Sequence, residues 1–230
     1  MHKEVSFLRH AGWFGPEKAG NNVLNIIGVG ATGSHIGYMA AKMGWHNFRI
    51  WDADLVESHN LPNQIYELED IGTKKVDAFE RMLKAFNPKI KVEKHDYFFN
   101  SEEHKELLSG PLVLTVDTMS ARKDIFKAFS LNWKVNKVFE TRLGFDYGEL
   151  NIIDNMNFDS LSEWESMLFS DEDAQEAPCN LRICTTLVAL ISSYTVHKIC
   201  HLMTEEEFVY DNKTMFNFNN NNNLKTYSIA

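Results

Sequence analysis

Residues 23–29, VLNIIGV, form a short run rich in β-branched side chains, the pattern of a buried strand. FRIWD at 48–52, KIKVEKH at 89–95, PLVLTVD at 111–117 and KVFETRLG at 137–144 predict four further strands. Helical stretches lie between them. GSHIGYMAAKMG, 33–44, ends on a glycine suited to a helix C-cap. Residues 73–86 place apolar side chains at 76, 79, 82, 83 and 86, and Asn87-Pro88 stops that helix. Shorter helices are predicted over 102–109 and 121–131. This alternation predicts an α/β fold: a Rossmann-like, doubly wound, mostly parallel sheet.

Past Gly148 the pattern changes. GELNIID, 148–154, predicts a strand, 159–180 reads as acidic and irregular, and 183–203 as one strongly apolar helix. The tail from Phe208 alternates apolar residues on both sides of an asparagine run. The run alone would also suit a disordered tail, but the flanking alternation predicts two strands and a hairpin loop. The C-terminal third is thus expected to extend the sheet with antiparallel strands. The chain reads as one domain, 1–230, with a nucleotide-binding part (23–150), a crossover region (151–182) and a C-terminal helix and strands (183–230).

Composition narrows the partners. The net charge of −9 disfavours a broad nucleic-acid surface, which needs clustered Lys and Arg. Three cysteines, Cys179, Cys184 and Cys200, make a poor disulfide framework and fit a reducing compartment. Without a C-x-x-C pair, no structural zinc is expected. The first residues lack the apolar run of a leader, and no stretch of 18 apolar residues occurs. A cytoplasmic protein with no membrane partner is expected.

The first strand runs into Gly28-Val29-Gly30-Ala31-Thr32-Gly33, a G-x-G-x-x-G opening a helix. The first glycine suits the tight turn, the second lets backbone approach phosphate, and the third lets helix pack on strand. Asp52 ends the second strand, 19 residues beyond Gly33, where a carboxylate can accept from ribose hydroxyls. This loop serves NAD, FAD and ATP alike, and alone it would favour a nicotinamide oxidoreductase.

The segment beyond the second strand points elsewhere. It runs Asp52-Ala53-Asp54-Leu55-Val56-Glu57-Ser58-His59-Asn60-Leu61-Pro62-Asn63-Gln64, then Ile71-Gly72-Thr73-Lys74-Lys75. This resembles the ThiF/MoeB/HesA family, which includes the adenylation domains of ubiquitin-activating enzymes. Their pattern is a glycine loop, D-x-D-x-V-x-x-x-N-L-x-R-Q, then x-G-x-x-K.

The resemblance implies a role for each matching residue. Gly28, Gly30, Ala31 and Gly33 line the phosphates of ATP. Asp52 holds the ribose, within the same motif as Asp54. Asn60, Asn63, Gln64 and Lys75 lie along the triphosphate, Lys75 offsetting charge on the α-phosphate. In VDTMSAR, 116–122, Asp117 stands five residues before an arginine and is the implied Mg²⁺ ligand. Read from spacing alone, Lys75 is a solvated helix-face lysine and Asp117 a turn former; the linked motif assigns them to chemistry. One departure stands out: Asn63 occupies a position where many members carry arginine, and a fixed cation is lost there.

The implied reaction is adenylation of a carboxylate. That carboxylate is the C-terminal glycine of a ubiquitin-like or sulfur-carrier protein ending in Gly-Gly. Adenylation needs an anion-tolerant backbone, a metal carboxylate and a cation, not an acid–base pair. The rival readings are an NAD(P)-dependent oxidoreductase, which lacks a Tyr-x-x-x-Lys set here, and a non-catalytic partner of the same fold. The family implies a homodimer in which Arg9 reaches the partner's triphosphate; read alone, Arg9 is a surface arginine. Cys179, before the apolar helix, is the implied thioester or persulfide residue, with Cys184 competing and a buried apolar role the alternative for both. Cys200 reads as core, and His35 and His59 as polar loop residues. The acids at 171, 172, 173 and 176 read as a solvated face, able to attract a basic residue ahead of the terminal glycines.

Overall fold

The computed structural model describes residues 4–144, 146–173, 185–205, 208–218 and 224–229. Eight strands form one sheet: β1 (Leu24–Ile27), β2 (Asn47–Trp51), β3 (Lys91–His95), β4 (Leu112–Leu114), β5 (Lys137–Leu143), β6 (Tyr147–Asp154), β7 (Lys213–Phe218) and β8 (Leu224–Ile229). Their order is β3-β2-β1-β4-β5-β6-β7-β8. The first five are parallel and the last three pair antiparallel. The tail is therefore a hairpin, as its alternation predicts.

The helices are α1 (Pro16–Ala19), α2 (Ala31–Met43), α3 (Lys75–Phe86), α4 (Ser101–His104), α5 (Met119–Phe129), α6 (Phe158–Ser166) and α7 (Thr185–Thr204). Gly44 closes α2 at φ +118, the left-handed C-cap its position predicts. Alternate strand residues face opposite sides. Leu24, Ile26, Val113, Phe139 and Ile152 join one core with α2, α3 and α7. Ile27, Leu112, Leu114, Val138 and Ile153 join the other with α5 and α6. Among the described residues, no helix is long and apolar enough to cross a membrane.

Three expectations change. Residues 158–166 are helical, not irregular. Asn157 caps α6 by accepting from the backbone of Asp159 and Ser160, and Leu161, Trp164 and Leu168 recur at helical spacing against the second core. The acids there occupy only the outer face. β4 stops at Leu114, short of Asp117, because Thr115 turns its hydroxyl onto the Gly28 carbonyl at 2.6 Å. His35 lies inside α2 rather than in a loop.

Candidate functional site

Strand order reverses between β1 and β4, so a crevice opens at their C-terminal ends, where ligands of doubly wound sheets bind. The glycine loop forms its floor, and its three glycines are not equivalent. Gly28 holds φ +93, and a Cβ there would lie 2.9 Å from the Thr115 carbonyl. A Cβ on Gly33 would come 1.9 Å from the Gly28 carbonyl. Both are glycine because the protein itself occupies the space. A Cβ on Gly30 would meet nothing within 4 Å. Gly30 is the N-cap of α2, whose first turn carries no acidic side chain, so free N–H groups and the helix dipole favour an anion there.

Asp52 stands at the end of β2. Its Oδ2 accepts the Val29 N–H at 2.8 Å and its Oδ1 the Asp54 N–H at 2.9 Å. Each oxygen keeps a lone pair for a hydroxyl donor. Burial raises the Asp52 carboxyl above the usual value, against the opposing charge of Lys75 and these N–H bonds. Lys75 opens α3, is buried, and its ammonium meets Asp54 Oδ2 at 2.7 Å. Tyr66, which no motif marks, bonds the Val29 carbonyl at 2.7 Å and locks the loop from behind.

Asn60 is buried in a 3-10 turn over Ser58–Asn60. Its Oδ1 accepts the Glu57 N–H at 2.8 Å, and its carbonyl accepts the N–H groups of Asn63 and Gln64. Asn60 thus shapes the loop that presents the next two amides. Asn63 Oδ1 and Gln64 Oε1 are buried without hydrogen-bond partners. Such orphans in a folded chain ask for a ligand or for an exchange of amide O and N.

Asp117 is exposed in the bend between β4 and α5, on the other flank of the crevice. Its carboxylate makes no hydrogen bond or ion pair with any described residue. Among the described residues no three His, Cys, Asp or Glu side chains cluster as a metal cage. A single free carboxylate still fits Mg²⁺, which commonly takes one or two carboxylates and completes its shell with phosphate oxygens and water.

The acidic segment is not simply solvated. Asp171 accepts the backbone N–H groups of Met119, at 2.6 Å, and Ser120 at the start of α5. This holds its carboxyl below the usual range, with the Ser120 side chain contributing most. On the opposite side Thr185, the first residue of α7, donates to the Pro62 carbonyl at 2.7 Å. Asp171 and Thr185 are thus anchored on opposite flanks of the crevice, one on the start of α5 and the other on the loop that follows Asn60. Cys179, Cys184 and Glu176 lie outside the described residues.

Arg9 is exposed in a turn far from this site. Phe14, bonded back to the His10 carbonyl, stacks on Trp45 just beyond α2, and Phe7 meets Phe86 at the end of α3. Both are C-terminal helix ends, roughly 20 Å from the glycine loop along the length of α2. Arg9 therefore cannot serve the triphosphate site of its own chain. An aromatic shelf, by contrast, adjoins Asp52: Trp51 stacks on His95 at 4.7 Å and Tyr97 on His104 at 5.0 Å.

The ThiF family model matches residues 6–229. Ubiquitin-like modifier-activating enzyme 5 of Rattus norvegicus is 32% identical over 90 residues, covering 39% of this chain and 22% of that protein. The Drosophila persimilis protein of the same description is 30% identical over 141 residues, covering 54% and 37%. The chain thus spans about a third or less of these relatives' lengths. Among solved structures, selenomethionine PaaA superposes with a TM-score of 0.72 at 20% identity, covering 93% of this chain and 66% of that one. MccB of E. coli with ATP gives 0.71 at 13% identity, covering 94% and 66%. Glycine loop, Asp52, Lys75 and a match running nearly the whole chain agree: this protein belongs to the ThiF family.

Proposed function

We propose that this chain binds Mg·ATP in the crevice and adenylates the C-terminal carboxylate of a ubiquitin-like or sulfur-carrier protein. One carboxylate oxygen attacks the α-phosphorus, the bond to the β-phosphate bridging oxygen breaks, and pyrophosphate leaves with that electron pair. The product is an acyl-adenylate. The observation that carries this reading is the convergence of Gly30, Asp52, Lys75 and Asp117 on the C-terminal ends of β1, β2 and β4. MccB, a fold neighbour, has been crystallised with ATP, and with AMPCPP and MccA.

Asp52 accepts from the ribose, the Gly30–Gly33 backbone faces the phosphates, and Lys75 opposes charge on the α-phosphate. Asn63 and Gln64 turn their amide N–H groups to the triphosphate. Asp117 would hold Mg²⁺, which neutralises developing charge on the phosphates when bound. A narrow, side-chain-free Gly-Gly terminus suits a carboxylate that must reach the glycine-loop floor. Cys179 is the thiol proposed for acyl transfer. A homodimer would bring Arg9 of one subunit to the crevice of the other.

The test is ATP–pyrophosphate exchange with candidate carriers ending in Gly-Gly. Carrier-dependent exchange supports the reading. Tight NADH binding with no ATP binding would replace it with the oxidoreductase reading.

A further inference from the structure

Val29, inside the glycine loop, is held at both ends of its backbone. Its N–H donates to Asp52 Oδ2 at 2.8 Å, and its carbonyl accepts the Tyr66 hydroxyl at 2.7 Å. A trans peptide is planar, so the carbonyl of one residue and the N–H of the next point in opposite directions. With the Val29 carbonyl turned to Tyr66, the Gly30 N–H points the other way. That N–H donates to no acceptor among the described residues, and a Cβ on Gly30 would meet nothing within 4 Å. The flipped peptide would instead turn a carbonyl oxygen toward this open space, where it would repel an anion. A hydrogen bond at the carbonyl also polarises the amide and strengthens its N–H as a donor.

Tyr66 is held firmly enough to set this orientation. It is 5% exposed, and its ring joins the core beneath α2 and α3. Its chain neighbours are fixed on both sides. The Ile65 N–H reaches Ser34 Oγ of α2 at 3.4 Å, and the Glu67 N–H donates to Asp70 Oδ2 at 3.0 Å. Asp70 is in turn gripped by Arg81 of α3 at 2.8 Å. Burial, with the nearby charges of Asp52, Asp70 and Asp54, holds the phenol well above its ordinary value, so the hydroxyl keeps its proton.

We propose that Tyr66 is a positioning residue for phosphate: its hydroxyl fixes the peptide joining Val29 and Gly30 so that the Gly30 N–H, not a carbonyl, faces the triphosphate. Tyr66 touches no ligand and acts through Gly30. It also follows directly on the turn over residues 60–64, which carries the unpaired amides of Asn63 and Gln64. One side chain thus sets the glycine loop against that turn. The assignment rests on the nucleotide reading of the crevice; anion binding itself needs no adenylation.

The experiment titrates ¹⁵N-glycine-labelled protein with sodium tripolyphosphate and follows the Gly30 amide, assigned by its loss in Gly30→Ala. Wild type should give a saturable Gly30 shift. Tyr66→Phe keeps the ring and removes only the hydroxyl. Its Gly30 resonance should be displaced before any anion is added, and tripolyphosphate should bind about fivefold more weakly, the effect of one hydrogen bond. Gly110, just ahead of β4, should keep its resonance. No Gly30 shift in wild type, or equal affinity in Tyr66→Phe, overturns the proposal. So does weakened binding in which Gly110 moves as well, which marks a general loosening of the fold. A further measurement needs no substitution: protein made with 3-fluorotyrosine, a stronger phenol donor, should displace the Gly30 resonance. An unmoved Gly30 there overturns the proposal even where Tyr66→Phe does not fold. Failure of the adenylation reading appears separately, as absent pyrophosphate exchange beside a saturable Gly30 shift.

Discussion

Lys75 is tied to Asp54 twice: its ammonium meets the carboxylate at 2.7 Å, and its backbone N–H meets the Asp54 carbonyl at 2.9 Å. The two contacts pin the start of α3 to the segment just beyond β2. The lysine is buried while Asp54 is largely open to solvent, so the charge is held in place with one side free for a phosphate.

Removing that charge should damage chemistry more than folding. Lys75→Ala and Asp117→Ala should keep wild-type circular dichroism and lose about 10²–10³ in pyrophosphate-exchange rate, the usual effect of deleting one preorganised electrostatic group. Exchange at wild-type speed in both variants would remove these residues from the site.

Asp52 should make ATP binding pH-dependent. Its folded carboxyl is raised above the ordinary 3.8, chiefly by burial. Only the carboxylate accepts from both ribose hydroxyls, so affinity should fall as pH drops through that raised value. Stability has the opposite sign: the contribution of Asp52 is present below 3.8 and lost as pH rises through the raised value. Calorimetry across pH 4–7 checks the first effect. Asp52→Ala should bind ATP about ten- to a hundredfold more weakly, matching about 1.5–3 kcal/mol for charged hydrogen bonds.

The glycines should separate binding from folding. Gly30→Ala meets open space and should melt normally while binding ATP less well, because its methyl intrudes where phosphate belongs. Gly33→Ala collides with the Gly28 carbonyl and should lower the melting temperature. A Gly30→Ala protein with unchanged ATP affinity would show that phosphate does not sit there.

Glu140→Gln leaves Arg122 and Arg142 without their counter-charge and should cost about 3–5 kcal/mol at pH 7. Burial pushes the Glu140 carboxyl up, but Arg142 and Arg122 together outweigh it and hold the group below its ordinary 4.5. Its stabilisation is therefore present above 4.5 and lost as pH falls through the lowered value. Denaturant titrations should show wild type and Glu140→Gln converging in acid.

Arg9 tests the dimer. It stands at the wrong end of α2 to act on its own site, so Arg9→Ala should slow exchange only if a second subunit delivers it. Light scattering with ATP present gives the oligomeric state. A monomer whose Arg9→Ala variant exchanges normally would leave Arg9 an ordinary surface residue.

The sequence by itself determined the parts whose signal is local. β-branched runs, the spacing of Gly28, Gly30 and Gly33, and the ordered run from Asp52 to Lys75 each lie within one or two elements, where periodicity and turn chemistry are written directly. Tertiary structure decided the rest. Residues 158–166 read as irregular because acids dominate the composition, yet Leu161 and Trp164 find a second core to cover and the segment becomes α6. Asp171 reads as solvated until the start of α5 is placed beneath it. Arg122, Glu140 and Arg142 look like ordinary surface charges along the chain. They become one buried cluster because α5 packs across β5, while β6 pairs Asn151 opposite Glu140 and α6 lays Trp164 over it. Which side chains meet across elements depends on strand order and on the helix that covers each strand, and neither leaves a period in the sequence.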